Sequence, residues 1–229
     1  MNSLDLLTEN LSSIASVRTE SLLPKQQKAA RKILRSADCY QQKFIKFPHI
    51  GIFHSYAELL YAALLESDKD VSVFVPQPFL LYIGNRQYIP DCYFVKFGQR
   101  KIIEIKPNGE MKDELRIPLE EYFSQERINF DVISNEEILT KERLALNWLK
   151  IIRILISASH ENTFDEEVKI QNQLIENSEL ELGDVIFIGD RIGQRKTEIA
   201  IFRLAHKGKL KLDLSDSVLN YYTRVTLCI

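Results

Sequence analysis

Within residues 45–145, apolar residues follow a helical period in one stretch and form short, strand-like runs in several others. Over residues 54–67 they fall three and four positions apart, which predicts a helix with Ser55 as its N-cap. A charged stretch over residues 111–127 predicts a second helix, which Pro118 could break or restart. Runs rich in β-branched and aromatic residues predict strands at residues 71–75, 79–83, 92–97, 101–105 and 128–134. This order predicts an α/β domain with a mixed sheet over residues 45–145.

The strands predicted at residues 92–97 and 101–105 flank a glycine-containing turn, which predicts a β-hairpin with its turn at residues 98–100. Asp91 stands just before the first of these strands. Glu104 and Lys106 lie two apart on the second strand, so their side chains point to the same face. The strand around them is strongly apolar, and an unneeded charge would be costly to bury there.

The carboxy-terminal third has a different pattern, and we predict a separate, small winged-helix-like domain over residues 146–229. Helices are predicted over residues 142–158, 163–177, 181–188 and 194–207, and strands over residues 208–214 and 224–229. A helix that ends in Arg203, His206 and Lys207 would place basic residues on a DNA-recognition surface. A domain that binds only protein partners is the alternative.

The amino-terminal segment, residues 1–44, combines a weak helical pattern over residues 3–14 with a basic, helix-forming stretch over residues 25–35. The basic stretch is either a solvated helix face or arm, or a segment that contacts DNA phosphates. In the second case the DNA-binding residues are Lys25, Lys28, Arg31, Lys32 and Arg35.

Composition limits the kinds of partner. The 229 residues carry a net charge of −2, from 30 basic and 32 acidic residues, so bulk charge does not favour nucleic acid and any DNA contact must come from local patches, a metal ion or a partner. Three widely spaced cysteines indicate neither a disulfide framework nor a zinc site. Neither a membrane-spanning stretch nor a signal-peptide pattern is evident, so we expect a cytoplasmic location and no membrane partner.

The charged residues of the hairpin suit phosphodiester hydrolysis. Asp91 and Glu104 on adjacent strands can hold a magnesium ion, with the backbone carbonyl of Ile105 as a third ligand. Lys106 can orient the attacking water or stabilise the charged transition state. Glu58, on the helix that precedes the sheet, can complete the metal site. Two structural alternatives remain open, namely that Glu58 only caps its helix and that the hairpin charges form a surface ion pair.

The sequence Pro90-Asp91, followed after twelve residues by Glu104-Ile105-Lys106, resembles the motif of the PD-(D/E)xK nuclease superfamily. The resemblance implies a restriction-endonuclease-like fold, in which a mixed sheet is flanked by helices. Over residues 45–135, the segment around Glu58, the dipeptide Gln77-Pro78 and these motifs look like the TnsA family, the endonuclease subunits of heteromeric cut-and-paste transposases.

The TnsA resemblance implies a Mg²⁺-dependent enzyme, with Mn²⁺ able to substitute, that cleaves double-stranded DNA at the 5′ ends of a mobile element. It implies two partners, an integrase-like transposase subunit (TnsB-type) and an ATPase regulator (TnsC-type). By position, Glu58, Asp91 and Lys106 match the catalytic acids and lysine of that family. Glu104 departs toward the general nuclease pattern, because family members can have Gln there.

Two other functions stay open. One is a stand-alone restriction or repair endonuclease with the same core, although a protein that finds DNA unaided should be more basic. The other is a catalytically inert nuclease-like module for assembly or DNA binding, against which the four retained site residues argue.

Overall fold

The computed structural model describes residues 16–27, 38–190 and 192–228, and it shows a mixed α/β protein with several sheets. The chain divides into two compact units. Unit 1 comprises Met1–Tyr40, Gly51–Glu58 and Ser72–Ile138, and unit 2 comprises Gln41–Ile50, Leu59–Val71 and Leu139–Ile229. Residues 41–50 and 59–71 are thus grouped with the carboxy-terminal half, whereas the sequence-based division placed most of them with residues 45–145.

The elements up to the end of the hairpin are, in order, β1 (Val17–Thr19), β2 (Tyr40–Lys43), β3 (Ile50–Phe53), α1 (Tyr56–Ser67), β4 (Val71–Pro76), β5 (Leu81–Ile83), β6 (Arg86–Tyr88), β7 (Cys92–Lys96) and β8 (Gln99–Lys106). A 3-10 turn (Pro107–Gly109), α2 (Asp113–Gln125), β9 (Asn129–Ser134) and α3 (Asn135–Leu139) follow. The helix and strands predicted over this region are therefore confirmed, with shifts of a few residues at their ends. Helix α2 continues through Pro118 instead of breaking there.

The main sheet of unit 1 has the strand order β4-β7-β8-β9. Strand β8 pairs with β7 in antiparallel fashion and with β9 in parallel, so the sheet is mixed as predicted. Helix α2 places Leu119 and Phe123 in the core, where the Phe123 ring stacks on that of Phe130 with centroids 5.7 Å apart. Because β4 and β9 flank it, the hairpin β7–β8 occupies the middle of the sheet and is hydrogen-bonded on both sides.

The hairpin turn differs from the prediction. Lys96 pairs with Gln99, so the turn consists of two residues, Phe97 and Gly98, rather than residues 98–100. Both have positive φ, +51° and +75°, as two-residue hairpin turns with the twist of the flanking strands require. Phenylalanine rarely adopts this conformation, and its ring is exposed here.

A second sheet in unit 1 has the order β1-β5-β6. Strand β1 was not predicted; it pairs with β5 through Val17 and Ile83. The segment that follows it also differs from expectation, because residues 24–27 are not helical. Instead, the amides of Lys25 and Gln27 donate to the carbonyls of Pro78 and Gln77 at 3.1 and 2.9 Å. The helix predicted over residues 3–14 and the remainder of the basic stretch lie outside the described residues.

Unit 2 contains α4 (Glu142–Ser157), α5 (Phe164–Asn177), β10 (Glu179–Glu181), α6 (Leu182–Val185), a 3-10 turn (Ile188–Asp190), α7 (Arg195–His206), β11 (Leu210–Leu212) and β12 (Arg224–Leu227). The three long helices and both predicted strands are confirmed. The helix predicted over residues 181–188 is wrong in extent, because it is limited to α6, and β10 was missed. The strands form an antiparallel sheet of order β10-β12-β11, and both α4 and α5 pack against α7.

Among the residues that the structure describes, no helix combines the length and apolar character needed to cross a bilayer.

Candidate active site

The start of β7 and the end of β8 bring Asp91 and Glu104 together. Cys92 pairs with Ile103, so the two acidic residues occupy the next position of the antiparallel ladder. The Asp91 amide lies 3.3 Å from Glu104 Oε2, and the Ile105 amide donates to Asp91 Oδ2 at 2.7 Å. The structure thus joins the backbone of each strand to a carboxylate of the other. For Ile105 it shows this amide contact, and the predicted role of its carbonyl as a metal ligand stays a prediction.

The Lys106 ammonium lies between the same two carboxylates. It forms an ion pair with Glu104 Oε1 and lies 3.9 Å from Asp91 Oδ2. The Glu104 side chain is only 2% exposed, whereas those of Asp91 and Lys106 are 19% and 35% exposed. Glu104 and Lys106 therefore share a face of β8 as predicted, and Lys106 is the member of the cluster that reaches solvent.

Glu58 lies in the first turn of α1 and contributes to the helix cap. Its amide lies 3.2 Å from Ser55 Oγ, which donates to Glu58 Oε1 at 3.1 Å, and the His54 amide donates to Glu58 Oε2 at 3.2 Å. The capping role considered from the sequence is therefore real. The Glu58 charge also reaches the hairpin, because it raises the pKa of Asp91. Capping and membership of the acidic cluster are combined in one side chain.

Two carboxylates of the cluster, those of Asp91 and Glu58, lie in an environment that resists charge. Burial raises the pKa of Asp91 well above its ordinary value, and Glu104 and Glu58 raise it further. Burial also raises the pKa of Glu58, despite the hydrogen bonds from His54 and Ser55. Burial alone would lower the pKa of Lys106, but Asp91 and Glu104 together bring it above its ordinary value. Perturbed carboxylates around one cation are typical of functional sites, and structural ion pairs also produce them.

Tyr88, at the end of β6, belongs to the same environment and was missed by the sequence. Its hydroxyl oxygen is buried and has no hydrogen-bond partner of acceptable geometry among the described residues, although the Glu104 carboxylate lies nearby. Burial, followed by the negative charge of Glu104, raises the pKa of Tyr88 above its usual range. The hydroxyl therefore remains protonated and is available as a donor.

Gln77 was named from the sequence only as part of the Gln77-Pro78 dipeptide, and its contact with the acidic cluster was not predicted. It adopts a positive φ of +42° after the end of β4. Its side chain is buried, and Nε2 donates to Glu58 Oε2 at 2.6 Å. Gln77 therefore contacts the acidic cluster directly.

The donor set of the cluster suits a hard divalent cation. In the described part of the chain, no three His, Cys, Asp or Glu side chains surround a common point at ligand distance. Two carboxylates do face one cation, because the Lys106 ammonium stands between Asp91 and Glu104. Mg²⁺ is commonly bound through one or two carboxylates while it keeps several waters. Asp91 and Glu104 therefore fit this ion, with Glu58 next to them.

The basic residues predicted to contact DNA are only partly described. Lys25 is exposed, which is compatible with that role, whereas Lys28, Arg31, Lys32 and Arg35 lie outside the described residues. In unit 2, the expectation of a basic surface at the end of α7 needs correction. Arg203 donates to the Ala158 and Glu161 carbonyls and to Thr163 Oγ1, His206 contacts Glu66 at 2.6 Å, and Lys207 pairs with Glu167 at 2.7 Å.

Asp91→Asn is expected to stabilise the folded chain near pH 7 and to lose this advantage in acid. Because the pKa of Asp91 is raised by folding, the folded state binds more protons between the unfolded value, about 4, and the folded value. The stability of the wild type therefore falls as the pH rises through the folded pKa, and the variant lacks this loss. Thermal unfolding at about pH 5 and about pH 7.5 checks the prediction, and a Tm difference that is independent of pH would contradict it.

Comparison of the sequence with models of known protein families and with curated proteins gave no match.

Proposed function

We propose that unit 1 is a metal-dependent DNA endonuclease with a restriction-endonuclease-like fold. The observation that carries the proposal is the convergence of Asp91, Glu104 and Lys106 at one end of the central hairpin, with Glu58 next to them. The mixed sheet β4-β7-β8-β9, with α1 before it and α2 between its last two strands, supports this fold.

The residues of the site have separate tasks in phosphodiester hydrolysis. Asp91 and Glu104 would hold Mg²⁺, and Glu58 would supply a further carboxylate. When bound, the ion would polarise the phosphate and lower the pKa of an attacking water. The Lys106 ammonium, partly exposed, can turn from the carboxylates toward the phosphate and stabilise its developing negative charge. Its raised pKa supports an electrostatic role rather than that of a neutral base.

We propose further that the chain is the 5′-end-cleaving subunit of a cut-and-paste transposase. The near-neutral net charge supports a nuclease that partners load onto DNA, here an integrase-like transposase subunit and an ATPase regulator. Unit 2 supports a winged-helix-like carboxy-terminal domain, since its long helices precede two strands joined by a loop. The engagement of Arg203 and His206 within unit 2 supports partner binding over DNA reading for the end of α7.

Cleavage of labelled duplex DNA tests the proposal. The substrate carries the end of the mobile element, and the reaction contains the chain, Mg²⁺ and the transposase that we expect a neighbouring reading frame to encode. Cleavage of the 5′ strand that requires both proteins and the ion would support the transposase assignment. Cleavage of plasmid DNA by the chain alone at a comparable rate would favour the stand-alone nuclease. No cleavage under any of these conditions would contradict both nuclease assignments.

Lys106→Met is expected to reduce this cleavage by about 100-fold, because the variant loses the only ammonium in contact with Asp91 and Glu104 among the described residues. The rate of strand cleavage at saturating Mg²⁺ measures the effect. Lys101→Met, which changes a half-buried lysine five residues earlier on β8, is the matched control and should retain near-normal activity. Equal rates for Lys106→Met and the control would remove Lys106 from the mechanism.

A further inference from the structure

Every polar group of Gln77 takes part in a hydrogen bond. Its amide donates to the Asp91 carbonyl at 2.9 Å, and its carbonyl accepts from the Gln27 amide at 2.9 Å. Its side-chain Nε2 donates to Glu58 Oε2 at 2.6 Å, and its Oε1 accepts from Gln26 Nε2 at 2.7 Å. An L residue rarely adopts φ near +42°, and these four bonds hold Gln77 there with its side chain 4% exposed. The residue is therefore fixed in one conformation.

The direction of these side-chain hydrogen bonds is set from one end. Gln26 Nε2 donates to the Ile52 carbonyl at 2.7 Å, and Gln26 Oε1 lies 3.3 Å from the Ile52 amide. If the Gln26 amide were flipped, its NH₂ group would face the Ile52 amide and its oxygen would face the Ile52 carbonyl. The backbone of β3 therefore determines its orientation. Gln26 Nε2 then requires the oxygen of Gln77 on its side, which turns Gln77 Nε2 toward Glu58. Each amide fixes the next.

Two amides thus connect a backbone segment to a carboxylate of the acidic cluster. Residues 24–27 lie alongside Gln77 and Pro78 through backbone hydrogen bonds, and Gln26 projects from this segment into the contact with Gln77. Glu58 Oε2 accepts from Gln77 and from the His54 amide, so both donors determine the rotamer of the carboxylate. Groups that orient metal-binding carboxylates in this way affect metal affinity nearly as much as the ligands do.

We propose that Gln77 and Gln26 form a positioning relay for Glu58, through which Gln26, on the segment of residues 24–27 at the end of β4, contributes to the metal affinity of the nuclease site. Gln77 acts on Glu58 directly, and Gln26 acts only through Gln77. This inference rests on the proposed nuclease function for its metal readout, whereas the relay itself is a property of the folded chain.

Binding of Mn²⁺ to the full chain without DNA, followed by electron paramagnetic resonance of the free ion, tests the relay. Gln77→Met is expected to weaken Mn²⁺ binding about tenfold, because the Glu58 carboxylate loses one of the three donors that orient it, and Gln26→Met about threefold, because it loosens that donor. The double variant should match Gln77→Met within about twofold, because Gln26 has no route to Glu58 except through Gln77. Additive losses would overturn the relay.

Gln27→Met is the matched control. Gln27 belongs to the same segment and has the same side chain, but its Nε2 donates to the carbonyls of Lys25 and Pro78 and not to Gln77 Oε1. Its Mn²⁺ affinity should equal that of the wild type. If Gln26→Met and Gln27→Met weaken Mn²⁺ binding equally, the effect comes from loosening the segment and the relay is wrong.

A thermal cycle without metal separates this inference from the nuclease proposal. The Tm losses of Gln77→Met and Glu58→Met should sum to at least about 2 °C more than the loss of the double variant, because each substitution removes the hydrogen bond between Gln77 and Glu58. If the wild type neither binds Mn²⁺ nor cleaves DNA, the nuclease proposal fails, and the cycle alone then decides the relay. If the wild type does both and Gln77→Met is unchanged, the relay fails and the nuclease proposal stands.

Discussion

Asp91→Asn is expected to reduce metal-dependent DNA cleavage by about 1,000-fold, which corresponds to about 4 kcal/mol of activation free energy. The substitution is nearly isosteric, and its amide oxygen can still accept the hydrogen bond from the Ile105 amide. The backbone at the start of β7 should therefore keep its conformation. What is lost is the negative charge that, with Glu104, would hold a divalent cation. The rate of strand cleavage at increasing Mg²⁺ concentration measures the effect.

A control in the same sheet makes this result specific. Asp131 lies on β9 opposite Ile103 and is exposed, so Asp131→Asn changes the net charge equally without touching the cluster. Its cleavage rate should stay within about twofold of the wild type, as expected for a surface substitution. A loss of cleavage smaller than about tenfold in Asp91→Asn would show that Asp91 is not a metal ligand.

Glu66→Ala is expected to reduce the free energy of unfolding by about 3–5 kcal/mol. The Glu66 side chain is fully buried within unit 2 and accepts from the amides of Ile45 and Lys46 at 3.1 and 3.0 Å. Its other oxygen lies 2.6 Å from His206 Nε2. Truncation would leave two amides and an imidazole without their acceptor at a position where Glu66 itself is 0% exposed. Chemical denaturation followed by circular dichroism measures the loss.

Two further variants serve as controls for the Glu66 prediction. Glu176→Ala, on the exposed face of α5, removes a charge from a helix of the same unit and should change stability by less than about 0.5 kcal/mol. Glu66→Gln keeps the volume and one acceptor oxygen, so it should fold and lose less stability than Glu66→Ala. A loss below about 1 kcal/mol for Glu66→Ala would show that the three contacts are not maintained in solution.

Local signals in the sequence were sufficient to predict the core of the site. The alternation within β8 placed Glu104 and Lys106 on one face, and the hairpin placed Asp91 beside them, because strand pairing between neighbouring segments follows from period and turn. The turn itself was misplaced, since a phenylalanine at positive φ is rare and gives no signal of its own. The sequence also predicted that Glu58 can cap its helix, because the capping spacing is visible in Ser55 and Glu58 alone, whereas its part in a metal site stays a prediction.

The contacts that sequence reasoning missed all join distant segments. Gln26 and Gln77 are 51 residues apart, and Glu66 and His206 are 140 residues apart. Neither pair belongs to a periodic pattern, so no count of apolar positions could join them. His206 was instead expected on a recognition surface, because a basic residue at a helix end gives the same local signal whether it faces solvent or a buried carboxylate.

The position of β7 and β8 in the middle of the sheet has a consequence for how the protein should behave over time. Each is hydrogen-bonded to a strand on both sides, so their amides should exchange with solvent deuterium only in rare opening events of the whole sheet. Residues 24–27 belong to no strand, and the amides of Lys25 and Gln27 donate to the carbonyls of Pro78 and Gln77. These amides should exchange far sooner. Asp91, just before β7, and Glu104, on β8, should thus lie in the slowest-exchanging part of unit 1. Mass spectrometry of deuterated peptides would show slow exchange for β7 and β8 and fast exchange for residues 24–27, although Gln77 is hydrogen-bonded both to Asp91 and to Gln27.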